Sequence, residues 1–153
     1  MPRATEAMLA GRGDGRGAFH GASESIPSTP GAYVLRIDLG APLVVALPGR
    51  GVVTFGAGRY LYCGSARGPG GLRARVARHM RRGKAVRWHV DRLTEAGRVV
   101  GAWVFPGGDE CALVARLDGF PVPLAGFGGS DCAVCPSHLL AWPAGAPSPF
   151  EED

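Results

Sequence analysis

A small α+β domain, with a mainly antiparallel central sheet flanked by helices, is predicted on three observations. The chain of 153 residues, 46% of them hydrophobic, suits one ordinary domain with its own core. Short β-branched segments with alternating apolar positions fill the first part of that domain. At Leu72 the apolar period changes to four, and the segments that follow read helix, helix, strand, helix.

Residues 1–29 contain a Gly- and Arg-rich run at 11–17, then Ser-Glu-Ser-Ile-Pro-Ser-Thr-Pro, with no apolar periodicity. They are expected to form a disordered N-terminal arm. Tyr33–Leu39 alternates as a strand, and Leu43–Leu47 and Val52–Phe55 flank a hairpin turn at Pro48–Gly51. Arg59–Cys63 is a further strand, closed by Gly64, which is expected to let the backbone turn tightly. Leu72, Val76 and Met80 mark an amphipathic helix running to about Arg82. Trp88–Ala96 reads as a second helix, with Gly97 expected in a left-handed cap, and Val99–Phe105 as a strand. Asp109 is a suitable N-cap for a third helix over Glu110–Leu117. Asp118–Leu140 is loop plus a short element. Three prolines and three terminal acids then predict a disordered acidic tail over 143–153, which sets the domain at 30–142.

No run of eighteen apolar residues is present, and the first thirty residues lack the apolar stretch of a secretory leader. A cytoplasmic protein without a membrane partner is expected. In that compartment the four cysteines read as thiols or metal ligands rather than disulfides.

Charge is unevenly spread. Arg67, Arg73, Arg75, Arg78, Arg81, Arg82, Lys84, Arg87 and Arg92 face a single acid, Asp91, so the segment 67–92 carries +8 within a chain of net +4. That is the footprint expected of a surface for a phosphate backbone, and five phosphate contacts would give a log–log salt slope of about −4 to −5. A solvated arginine face is the competing reading. On the helix, Arg75 and His79 border the apolar stripe, whereas Arg78 and Arg81 point to solvent. An arginine at the edge of a core needs an anionic partner: a carboxylate such as Glu110 or Asp131, or a phosphate.

Gly31-Ala-Tyr33, followed by Tyr62-Cys-Gly64, resembles the paired signature of the GIY-YIG nucleases. Leu72-x-x-Arg75-x-x-x-His79 resembles the arginine helix of that superfamily, and Glu110 opens a helix where its metal-binding glutamate is placed. Tyr60-Leu-Tyr-Cys-Gly-Ser-Ala66, Trp88-His-Val-Asp91, Glu110-Cys111, Gly126-Phe-Gly-Gly-Ser-Asp-Cys132 and Cys135-Pro-Ser-His-Leu139 are similar to the Uri-type endonuclease branch, a domain family of unknown function. The resemblance spans roughly 31–140. It implies a GIY-YIG-like fold, DNA as partner, Mg²⁺ or Mn²⁺ as cofactor, and a metal-dependent endonuclease that hydrolyses phosphodiesters. Catalysis would fall to Tyr33, Tyr62, Arg75, His79 and Glu110. Many family members carry an asparagine after that glutamate, and this chain contains none. Asp131 or Ser130 is the available replacement.

The chemistry can be stated from the residue types. A lone carboxylate at Glu110 suits Mg²⁺, and Arg75 would hold the developing charge on the phosphate, a contribution of about 3 kcal/mol. Ionising a free phenol at pH 7 costs about 4 kcal/mol, so Tyr33 and Tyr62 need their pKa values lowered to act as bases. His79 is a proton acceptor one turn from Arg75, and His89 is a second-sphere base or a helix-capping residue. Arg67, Arg73, Arg78, Arg82, Lys84, Arg87 and His89 are the expected DNA contacts.

Cys132-x-x-Cys135-x-x-His138 admits a structural Zn²⁺ site completed by Cys111 or Cys63, or else buried thiols. Two further readings follow: a non-catalytic nucleic-acid-binding domain of the same fold, and a small zinc-stabilised interaction domain.

Overall fold

Seven of the nine residues of β2 (Gly31–Leu39) are buried, because the strand lies in the middle of a sheet covered on both faces. The computed structural model describes residues 17–127 and 135–150. In chain order come β1 (Ala18–His20), a 3-10 turn (Ser23–Ser25), β2, β3 (Leu43–Leu47), β4 (Gly51–Phe55), β5 (Gly58–Ala66), α1 (Gly71–Met80), α2 (His89–Ala96), β6 (Arg98–Pro106), α3 (Glu110–Arg116) and β7 (Leu139–Trp142). Five strands form one sheet in the order β1-β6-β2-β5-β7, each pair antiparallel, and β3 and β4 form a separate hairpin. The expected α+β class holds.

Side chains alternate across the strands and so supply two cores. Tyr33, Leu35 and Ile37 face Leu72 and Val76 of α1, Val90 and Leu93 of α2, and Leu47 and Phe55 of the hairpin. Ala32, Val34, Leu61 and Trp103 face Leu113, Val114 and Leu117 of α3 on the other side. Among the described residues, no helix is long and apolar enough to cross a membrane.

Four expectations are corrected. The arm drawn at 1–29 is structured from residue 17. There β1 pairs with β6, Phe19 packs edge-on to Trp103 at 4.8 Å, and Ile26 is fully buried. Likewise the tail drawn at 143–153 is packed as far as Phe150, whose ring meets Trp103 and Phe105 at centroid distances of 5.5 and 5.1 Å. Isolated anchors of this kind leave no period in the sequence. Gly64 lies inside β5 rather than in a turn after it. Gly97 has φ −106°, not a left-handed value, and glycine is required there because a Cβ would strike the carbonyl of Asp38.

Candidate active site

A cleft of about 640 Å³ opens where β2, β5, α1, the start of α2, the hairpin turn and the start of α3 come together. Tyr33, Tyr62, Arg75, His89 and Glu110 all line it, with Arg87, Trp88, Ser65 and Arg50. Register explains the tyrosine pair. Tyr33 stands opposite Gly64, and Tyr62 lies two residues away on the same face of β5. A Cβ at Gly64 would collide with the hydroxyl of Tyr33, so the missing side chain is what lets the phenol lie across β5.

His79 sits behind Tyr33. It is 1% exposed, its Nε2 is hydrogen-bonded to the Tyr33 hydroxyl at 2.8 Å, and its ring packs against Tyr62 and Trp88. Burial pushes its pKa down to about 3, so the imidazole is neutral at physiological pH. Burial also raises both phenols above the ordinary value, against the opposing pull of Arg75. The expectation of tyrosines lowered toward ionisation is therefore reversed: desolvation outweighs the nearby cation.

Arg75 is half-buried, as the helix geometry requires. One guanidinium nitrogen donates to the Ser65 carbonyl at 3.0 Å, and the group lies over the Trp88 ring at 4.9 Å. Among the described residues no carboxylate forms an ion pair with it, so donors remain for an anion in the cleft. Arg78 behaves differently from its expected solvent position. Its guanidinium makes two hydrogen bonds of 2.9 Å to Asp91, which is fully buried, and stacks on Trp88 at 4.2 Å. Asp91 also accepts from the backbone N–H groups of Arg87 and Trp88 at 2.8 and 2.9 Å. Burial acts to raise this carboxyl, but the Arg78 and backbone hydrogen bonds prevail and hold it at about 2. Together these contacts fix the loop that carries Arg87, Trp88 and His89 to the cleft.

Other members of the basic segment are also committed. Lys84 pairs with Glu95 at 2.8 Å and caps the end of α1 through the carbonyls of His79 and Arg81. Arg82 donates to the carbonyls of Gly97 and Thr94, and Arg73 to that of Ile26 at 2.7 Å. Arg67 and Arg87 are exposed. Of the expected DNA contacts, only Arg87 and His89 line the cleft, and Arg50 from the hairpin turn joins them.

Glu110 follows its N-cap Asp109, whose side chain accepts from Ala112 N at 2.9 Å. Its Oε2 lies 2.7 Å from His138 Nδ1. Burial alone would raise the carboxyl, but hydrogen bonds with His138 and Ser65 and the charge of Arg67 bring it below the usual range. It is ionised at neutral pH. Beside it, donor atoms of Cys111, Cys135 and His138 all lie within 4.8 Å of one another. Cys111 thus joins the cysteine group, while Cys63 is buried in the second core with its thiol raised by desolvation. Cys132, Asp131 and Ser130 lie outside the described residues.

A family model described as Domain of unknown function DUF123 matches residues 32–149, most of the chain and all of the cleft. The chain belongs to the DUF123 family. No curated protein and no solved structure matches it. In this DUF123 chain the residues that sequence reasoning missed are Arg50, Ser65 and the Arg78–Asp91 pair. Arg50 stands at the tip of Pro48-Gly-Arg-Gly51, where a turn presents its central side chain, and that was the available signal.

Proposed function

We propose that this chain is a metal-dependent DNA endonuclease of the GIY-YIG type, close to the Uri branch, that hydrolyses phosphodiester bonds. One observation carries the reading: two neutral tyrosines, an arginine that no carboxylate among the described residues pairs with and an ionised glutamate share one cleft. The order Tyr33, Tyr62, Arg75, Glu110 is also the order in which the sequence resembles that superfamily.

Arg75 and Arg87 bind the phosphate, with Arg75 aimed by Trp88 and the Ser65 carbonyl. Tyr33 and Tyr62, kept as neutral phenols, orient the attacking water through hydrogen bonds rather than serving as phenolate bases. His79 fixes the direction of the Tyr33 hydroxyl. Burial and the charges of Arg92 and Arg50 lower the pKa of His89, leaving it neutral to accept the proton of the water. Glu110 fits Mg²⁺ or Mn²⁺, since it puts a hard, ionised oxygen donor on the cleft wall. Such a cation, when bound, supplies positive charge to the phosphate oxygens.

The test is cleavage of supercoiled, single-stranded and branched DNA with Mg²⁺ or Mn²⁺. Arg75→Ala and Glu110→Ala are each expected to lower the rate by about 100-fold or more. Binding without cleavage on every substrate would replace this reading with a non-catalytic nucleic-acid-binding domain of the same fold.

A further inference from the structure

Cys111 on α3, Cys135 in the described stretch after residue 134 and His138 just before β7 come from two separate parts of the chain. Their donor atoms nevertheless converge within 4.8 Å of one another. His138 is 2% exposed and the two cysteines are partly buried. Two sulfurs and an imidazole form a soft to borderline donor set, which favours Zn²⁺ over Mg²⁺. In a tetrahedral zinc site the ligand atoms stand about 3.4 to 3.8 Å apart, so binding asks these three to close by no more than about 1 to 1.4 Å.

The second observation is the carboxylate behind the imidazole. Glu110 Oε2 lies 2.7 Å from His138 Nδ1, a close ion-pair contact beside the imidazole that favours Nε2 as the nitrogen turned to a metal. Metal-bound histidines commonly have this arrangement, in which a carboxylate fixes the tautomer and strengthens the ligand. The backbone is braced too: Cys63 N donates to the His138 carbonyl at 2.9 Å, and His138 N to the Phe127 carbonyl at 2.8 Å.

We infer that Cys111, Cys135 and His138 supply three ligands of a structural Zn²⁺ site that ties α3 to the start of β7 and holds Glu110 in place. Two thiolates balance the charge of the ion, and their protons leave to solvent on binding. The site is separate from the nuclease reading, because its metal is held by sulfur and nitrogen and its test needs no substrate.

The experiment is elemental analysis of the full chain, purified without chelator and then supplied with equimolar Zn²⁺, together with Co²⁺ substitution. One zinc per chain is expected, along with the intense thiolate-to-cobalt charge-transfer absorption of a tetrahedral site. Cys111→Ser and Cys135→Ser should each lose the stoichiometric zinc. Glu110→Gln should keep the site but weaken zinc by about 10- to 100-fold in competition with a chelating dye. If a serine variant fails to fold, the cobalt spectrum of the unmodified chain decides. A chain that takes up no zinc and shows no charge-transfer band overturns the inference, as does zinc retained in full by both serine variants. Zinc uptake without DNA cleavage would leave this site standing and remove only the nuclease proposal.

Discussion

Gly64, in the wall of the cleft, and Asp91, buried outside its lining, show how single residues shape it. Giving Gly64 a methyl group places it on the Tyr33 hydroxyl. Gly64→Ala is therefore expected to cost about 1 to 3 kcal/mol in chemical denaturation and to break the Tyr33–His79 hydrogen bond, read as a changed histidine NMR signal. An unaltered stability and spectrum would show that the phenol does not need that space. Asp91 is fully buried against Arg78. Arg78→Ala leaves its charge without that partner and is expected to lose about 3 to 5 kcal/mol. The same pair gives a pH dependence. A carboxyl at about 2 in the fold, against about 3.9 when unfolded, adds stability that is complete above the unfolded value. That contribution, about 2 to 3 kcal/mol, drains away as the pH falls from about 4 to about 2. Acid denaturation of Asp91→Asn should lack this component.

Among the elements, the segment from α1 to α2 changes most between sequence and structure. Its nine basic residues read as one phosphate-binding face, yet Arg78 and Lys84 hold carboxylates, and Arg73 and Arg82 hold carbonyls. Arg50, Arg75 and Arg87 line the cleft itself, although Arg50 and Arg75 each also donate to a carbonyl, of Ala125 and Ser65. Three phosphate contacts give a log–log salt slope of about −3, shallower than the whole segment implies, measurable by fluorescence anisotropy on a short duplex. A slope near −5 would return the committed arginines to the interface. If the chain is the proposed nuclease, His89, at the start of α2, is expected to set the acid limb of its activity. In that reading its neutral form would accept the proton, and because its pKa is lowered the limb should fall below the ordinary imidazole value of about 6.5, and His89→Gln should abolish it. An unchanged profile in that variant would exclude His89 as the base. The helical period located Arg75 correctly at the border of the apolar stripe, whereas His79, expected beside it at that border, is buried with Leu72 and Val76. It could not reveal that Arg78 meets Asp91, thirteen positions on and across the gap between two helices, because a wheel describes one helix and not its neighbour.

At the scale of the whole molecule, the second core is closed by residues from both ends of the described chain. Phe150→Ala is expected to cost about 3 kcal/mol in chemical denaturation, since its ring packs on Trp103 and Phe105. A loss well below 1 kcal/mol would mean that the tail adds little to that face. Local patterns made β2, the hairpin, α1 and the Asp109 cap legible in advance. Phe19, Ile26 and Phe150 were not, because each is a lone apolar residue in a Pro- or Gly-rich stretch, and only the tertiary fold supplies its partner. The Glu110–His138 contact was hidden for the same reason, as its two residues meet only when β7 docks on β5.

The outer strands of the five-stranded sheet, β1 and β7, have three and four residues, while the nine-residue strands β2, β5 and β6 lie between them. Val-, Leu- and Phe-rich runs of that length would readily template aggregation if either stood at an edge. Here β2 is paired along its length on both sides, β1 and β7 cover the outer sides of β6 and β5 over three and four residues, and these short strands offer a foreign chain few open backbone groups to start adding on. At high concentration this sheet should resist edge-to-edge growth for as long as its outermost pairings, β1 on β6 and β7 on β5, stay closed.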